Sequence, residues 1–270
     1  MLLISLFILL SLKYFIVALI ADFDFNLLLL VLVGFIAGFV NTIAGGGSLL
    51  TLPTLIFLGL PPTIANATNR IGIFLQSFTG AAGFGSKGIS TFPFSIYCGA
   101  SALIGSLIGA QIAIDIKGNT FNKILAVVMI LVVVLIVFKR RFGAVKLWER
   151  LRGKHLIISI ITFFFFGIYG GFINAGIGFV LLLFLQYFNG MSLVKANATK
   201  VTIVCIYTGA AIVFFAINDK INWTYGFLLA FGNIVGAWIS SRLAVKKGDG
   251  YIKVFLVVIV SLMAVKLWFF

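Results

Sequence analysis

Three features of the sequence predict an all-α integral membrane protein built from two homologous halves: its apolar composition, a series of apolar runs of spanning length, and an internal repeat. Of 270 residues, 62% are hydrophobic and 10% charged, and the mean hydropathy is +1.24. An ordinary soluble domain has about 45–50% apolar and about 25% charged residues. A chain this poor in polar side chains cannot cover a water-facing surface, so lipid is the solvent for most of it. That excludes a cytosolic enzyme, a disulfide-stapled secreted domain and a disordered chain. The net charge of +14 does not indicate nucleic-acid binding, because the basic residues sit in short loops between apolar runs, as the positive-inside bias predicts.

The apolar runs cover 2–20, 27–43, 49–60, 64–84, 92–114 and 121–138. After a polar loop come 156–175 continuing to 188, then 201–217, 225–243 and 251–270. A helix of about 20 residues crosses a hydrocarbon core of about 30 Å. Only helices satisfy the backbone of a single segment in lipid. The 29 glycines and 4 prolines suit close helix contact with a few deliberate breaks. The first run carries Lys13 at its middle and no basic flank ahead of it, so residues 1–26 read as an extra helix rather than a signal peptide.

The repeat is carried by four matches in one order. Gly34 to Asn41 (GFIAGFVN) matches Gly167 to Asn174 (GIYGGFIN), and Ala65-Asn66-Ala67-Thr68 recurs as Ala196-Asn197-Ala198-Thr199. Gly105-x-x-x-Gly109-Ala110 recurs as Gly232-x-x-x-Gly236-Ala237, and Lys117-Gly118 with Lys123 recurs as Lys247-Gly248 with Lys253. The halves are 27–138 and 156–270, joined by a linker at 139–155. Many secondary transporters share this plan and place their sites between repeats near mid-membrane. The linker carries Lys139, Arg140, Arg141, Lys146, Arg150, Arg152 and Lys154 against Glu149, which predicts a cytoplasmic position. Asp22 and Asp24 suit the outside. The first half then crosses an odd number of times; three full runs follow Leu60, so 27–60 is an even element, a re-entrant hairpin or two short spans broken at the glycines, and the halves read as inverted repeats.

Two constellations carry the chemistry. Asn41-Thr-Ile-Ala-Gly45-Gly46-Gly47-Ser48 interrupts apolar sequence, with Ser48 a candidate N-cap for the next helix. Asn174-Ala-Gly176-Ile-Gly178 is its weaker counterpart. Broken helices at membrane depth expose N–H groups that lipid cannot satisfy and an anion can. Tight packing is the competing reading of glycines in membrane helices. No Lys follows the glycines and no soluble strand precedes them, so this is not a nucleotide-binding loop. The second constellation is Asn66-Ala-Thr68-Asn69-Arg70, mirrored by Asn197-Ala-Thr199-Lys200, each joining amide, hydroxyl and cation. Both triplets also read as glycosylation sequons, which a membrane-embedded turn disfavours. Snorkelling to the headgroups is the bland alternative for the two cations.

The six acids (Asp22, Asp24, Asp115, Glu149, Asp219, Asp249) lie at ends or loops, so a deep Arg70 has no carboxylate partner in its own helix and a bound anion would supply one. For the same reason a cation pump or a carboxylate proton relay is disfavoured, and no metal or other cofactor is expected. Cys98 and Cys205 suggest neither a metal site nor a disulfide, and His155 beside the linker reads as interfacial. The glycine pairs at 105/109 and 232/236 read as packing motifs. Trp148, Trp223, Tyr225, Tyr251 and Trp268 read as interfacial anchors, and the phenylalanines receive no ligand role.

Residues 38–53 (GFVNTIAGGGSLLTLP), with Gly59-Leu60-Pro61-Pro62 and Ala65 to Arg70 (ANATNR), resemble the sulfite exporter TauE/SafE family. The likeness runs over 27–270, and the second half departs from it in lacking the triple glycine. The resemblance implies a bacterial inner-membrane permease with duplicated halves, linked to sulfite, sulfoacetate and related organosulfonates. On this reading the chain is a multi-pass transporter, not an enzyme, that exports a small oxyanion. The broken segments at 45–48 and 176–178 bind its oxygens with Asn41, Asn66, Thr68, Asn69, Asn174, Asn197 and Thr199, while Arg70 and Lys200 supply the positive field. The alternative is a passive anion channel or a permease for another small anion.

Overall fold

The computed structural model describes residues 25–43, 45–138 and 148–243. The expected helix at 1–26 (but for its last two residues), linker positions 139–147, the last run at 251–270, and Lys247, Gly248, Tyr251, Lys253 and Trp268 lie outside the described residues. Everything regular among the described residues is helical. In order these are α1 (Phe25–Ile43), α2 (Ser48–Phe57), α3 (Pro62–Gly85), α4 (Phe94–Asp115), α5 (Gly118–Phe138) and α6 (Lys154–Phe172). Then follow α7 (Ile177–Leu183), a π-helical turn (Phe184–Phe188), α8 (Leu193–Ile217) and α9 (Trp223–Leu243). Among them α4, α6, α8 and α9 are long and apolar enough to cross a membrane, which makes this a multi-pass membrane fold.

Local chemistry sets the boundaries. The chain leaves α1 through Gly45, whose φ of 92° is a left-handed value open to glycine. It leaves α6 through Asn174 (φ 54°) and Gly176 (φ 71°). Pro61 and Pro62 start α3, where a missing N–H costs nothing. Ser192 caps α8 by accepting from Lys195 N at 3.3 Å. Ser48 does not cap α2 as expected. It is the first residue of the helix, and Gly47 at the cap position has no side chain to offer. The Asn41 carboxamide accepts from Gly47 N at 3.3 Å instead, because the chain folds back on the end of α1.

Glycine contacts fix the helix directions. Gly34 and Gly38 lie against Leu229 and Asn233, and Gly232 and Gly236 against Val31 and Phe35, so α1 and α9 run the same way. Gly105 and Gly109 lie against Phe164 and Ile168, and Gly167 and Gly171 against Ala102 and Ser106, so α4 and α6 also run together. A methyl at any of these glycines would overlap backbone of the facing helix, so the pairs at 105/109 and 232/236 serve packing. Gly72 meets Asn233 and Gly83 meets Ser241, which aligns α3 with α9. Against α8 the sense reverses: Gly80 meets Val201, Phe74 meets Gly209, and Arg70 lies over Phe215. Thr63 Oγ1 donates to Ala113 O at 3.5 Å, joining the start of α3 to the end of α4.

Two direction classes result, with α1, α3 and α9 in one and α4, α6 and α8 in the other. Since α1 and α3 begin at the same end, α2 must return the chain to where α1 started. The second such return is direct: Arg150 N donates to Asn189 O at 2.9 Å, so the chain beyond α7 comes back to the start of α6. Both broken elements are therefore hairpins. The packing is compatible with inverted repeats.

Candidate functional site

The two hairpin tips meet. A Cβ on Gly45 would overlap Gly178, and one on Gly178 would overlap Gly45, so the chains cross backbone to backbone. Around this crossing lies a small cavity of about 10 Å³, room for about one water molecule. Asn41, Gly45 and Ser48 line it from the first hairpin, and Asn174, Ile177 and Gly178 from the second. Ile73 and Ser77 of α3 and Lys200, Val201 and Val204 of α8 complete it. Gly46 and Gly47 are buried beside the cavity without lining it. Gly176 instead packs against Val132 of α5.

The expected cations are buried: Arg70 is 0% exposed and Lys200 1%, which excludes snorkelling. Each caps the broken helix of the opposite half. Lys200 Nζ donates to Asn41 O (2.8 Å) and Thr42 O (3.3 Å) at the end of α1, and to Asn197 Oδ1 (2.9 Å). Arg70 donates from Nη1 to Gly170 O at 2.9 Å and from Nη2 to Gly171 O, at the end of α6. Its guanidinium lies 4.9 Å from the centre of the Phe215 ring, a contact that gives one phenylalanine a role the sequence did not suggest. The partner sought for Arg70 in a bound anion is thus a pair of helix-terminal carbonyls. Those carbonyls lack intrahelical donors and carry the negative end of the helix dipole. A helix end counts for roughly −0.5 charge, so two whole cations outweigh two such ends. The described acids Asp115, Glu149 and Asp219 sit at or beyond helix ends and leave the centre positive.

The remaining expected residues divide. Asn66 and Asn197 stand inside helices, in the second turn of α3 and of α8, and not in turns. Asn66 Nδ2 donates to Phe172 O at 2.8 Å, adding a third contact to the end of α6. Thr68 Oγ1 accepts from Asn222 N at 2.9 Å, and Thr199 Oγ1 donates to Met191 Sδ at 3.5 Å. Asn69 is buried, and its Oδ1 has no hydrogen-bond partner among the described residues. None of Asn66, Thr68, Asn69, Arg70, Asn197 and Thr199 lines the central cavity. Ser77 does, and the helical spacing 66–70–73–77 could have found it, as one stripe of α3. Tyr207 was also missed. Its hydroxyl donates to Asn174 Oδ1 at 2.6 Å, while Tyr169 Oη donates to Ala175 O at 2.6 Å, so two phenols hold the second tip.

The N–H groups of Ile177 and Gly178 make no hydrogen bond among the described residues, and both residues line the cavity. The pocket presents N–H donors, hydroxyls and amides of the kind that bind oxyanions, in a space that admits about one water. No group of His, Cys, Asp or Glu among the described residues could hold a metal ion.

Comparison with known proteins places the chain among membrane transporters. The chain is 27% identical over 247 residues to a probable membrane transporter protein of Haemophilus influenzae, covering 91% of this chain and 96% of the relative. It is 28% identical over 248 residues to the probable membrane transporter protein ORF9 of a Sinorhizobium species, with 91% and 94% covered. To the probable membrane transporter protein YfcA of Escherichia coli K12 it is 27% identical over 235 residues, with 87% of each covered. No solved structure matches it. The family described as sulfite exporter TauE/SafE matches residues 30–267, so this multi-pass integral membrane protein belongs to that family of small-anion transporters and is not an enzyme.

Proposed function

We propose that the chain moves a small sulfur oxyanion, sulfite or a short organosulfonate, outward across the cytoplasmic membrane through the cavity between the hairpin tips. The halves 27–138 and 156–270 are inverted repeats on this reading. The opposed directions of α3 and α8, which carry the repeated Asn-Ala-Thr triplet, support that. The linker at 139–155 faces the cytoplasm on this reading. Lys200 supplies the charge nearest the anion. Asn41, Ser48, Ser77 and Asn174 and the N–H groups of Ile177 and Gly178 bind its oxygens, and Arg70 adds field while holding the second hairpin. A cavity of about 10 Å³ is too small for an oxyanion, so the tips must part for loading. Their bases point to opposite ends of the bundle, which suits alternating access.

The single observation behind this reading is that the two hairpins and Lys200 share one buried cavity. Flux of radiolabelled sulfite into proteoliposomes tests it. Saturable uptake that short sulfonates compete for, lost in Lys200→Met, is expected. Undiminished flux in a folded Lys200→Met protein removes the site, and conduction without counterflow identifies a passive channel instead.

A further inference from the structure

We propose that a second cavity, at the end of the bundle where α4, α6 and α8 all begin, binds an anionic phospholipid. It encloses about 370 Å³ and shares no lining residue with the central cavity. Its walls are the starts of those three helices and the segments leading into them, with Thr91, Phe92, Tyr97, Arg152 and Lys195 among the lining residues.

Charge favours an anion there. Three helices of 22, 19 and 25 residues turn their positive ends toward one space, and two cations stand at its wall. Lys195 also meets Glu149 at 2.6 Å, with side chains 28% and 43% exposed. A pair that open to solvent is weak and yields to a better anion. One carboxylate against two cations and three helix ends leaves the cavity positive.

The rest of the wall selects a lipid over a free ion. Phe92 is 65% exposed and Tyr97 49%, so apolar rings stand uncovered beside the charged part. Acyl chains would cover them while the phosphate meets Arg152, Lys195 and the Thr91 hydroxyl. Arg152 lies in the same linker whose basic excess points to the cytoplasmic leaflet, where anionic lipids attract basic segments.

The test compares the purified chain in nanodiscs of phosphatidylcholine alone and with phosphatidylglycerol added. Phosphatidylglycerol should raise the thermal midpoint by several degrees, and Arg152→Gln/Lys195→Gln should lose most of that rise. Native mass spectrometry should show retained phosphatidylglycerol on the parent and on Arg152→Lys but not on the double variant. Inorganic phosphate in the phosphatidylcholine discs should reproduce none of the shift. An equal lipid response in the double variant overturns the proposal. So does an equal effect of inorganic phosphate, which would make this a free-anion site.

Discussion

Arg70 is the largest fully buried side chain among the described residues, and replacing it separates charge from geometry. Arg70→Met removes the donors to Gly170 O and Gly171 O and the contact with Phe215. Two hydrogen bonds to a charged group are worth about 1.5–3 kcal/mol each, and a desolvated cation–π contact about 2 kcal/mol. Against this loss, the variant no longer buries a guanidinium, which itself costs several kcal/mol. Two carbonyls left without a donor at the end of α6, at about 1–3 kcal/mol each, put the net loss for Arg70→Met at roughly 2–5 kcal/mol. Arg70→Lys keeps the charge but not the planar fork. It can satisfy one carbonyl well, so about half the loss, roughly 2 kcal/mol, is expected. Thermal unfolding in detergent and sulfite flux in proteoliposomes read the two effects. Arg70→Lys should fold yet transport at least about tenfold more slowly, since 1.4 kcal/mol of misplacement at the tip already gives that factor. Full stability in Arg70→Met, or full flux in Arg70→Lys, refutes the reasoning.

Other substitutions probe the crossing and the helix pairs. Gly178→Ala puts a methyl into Gly45 backbone and should lose about 1–3 kcal/mol in thermal unfolding along with sulfite flux, because the tips can no longer touch. Gly109→Ala meets Ile168 O in the same way and should lower the unfolding midpoint by a similar amount, with the surviving folded fraction transporting normally. Tyr207→Phe removes the donor to Asn174 Oδ1, so a stability loss of about 1 kcal/mol is expected, with flux reduced more than folding.

The helices, their breaks at 45–47 and 173–176 and the positions of tight contact were legible because each is a local property: apolar length, glycine, proline, small-residue spacing. The return within 27–60 followed from the loop charges together with the count of runs after Leu60, and the parallel packing of α1 and α3 on α9 requires α2 to make it. What the sequence hid is pairwise. Nothing in Gly105 or Gly232 says that the first faces α6 and the second α1. The partner of Arg70 was misread because backbone carbonyls at a helix end act as counter-charges without appearing as acidic letters. Ser48 was misread as a cap because Gly47 takes that position, and its N–H finds the Asn41 carboxamide only once the chain has folded back. Ser77 and Tyr207 sit among several polar residues of α3 and α8, and the facing hairpins are what distinguish them.

Equilibrium binding of sulfite to the purified chain tests the central claim, that the crossing holds an anion beside Lys200. Two unit charges about 4 Å apart at an effective dielectric of about 20 interact by about 4 kcal/mol, and half of that is about 30-fold in affinity. The account predicts one saturable sulfite per chain, weakened about 30-fold or more in Lys200→Met with the fold retained. Equal affinity in that variant contradicts it.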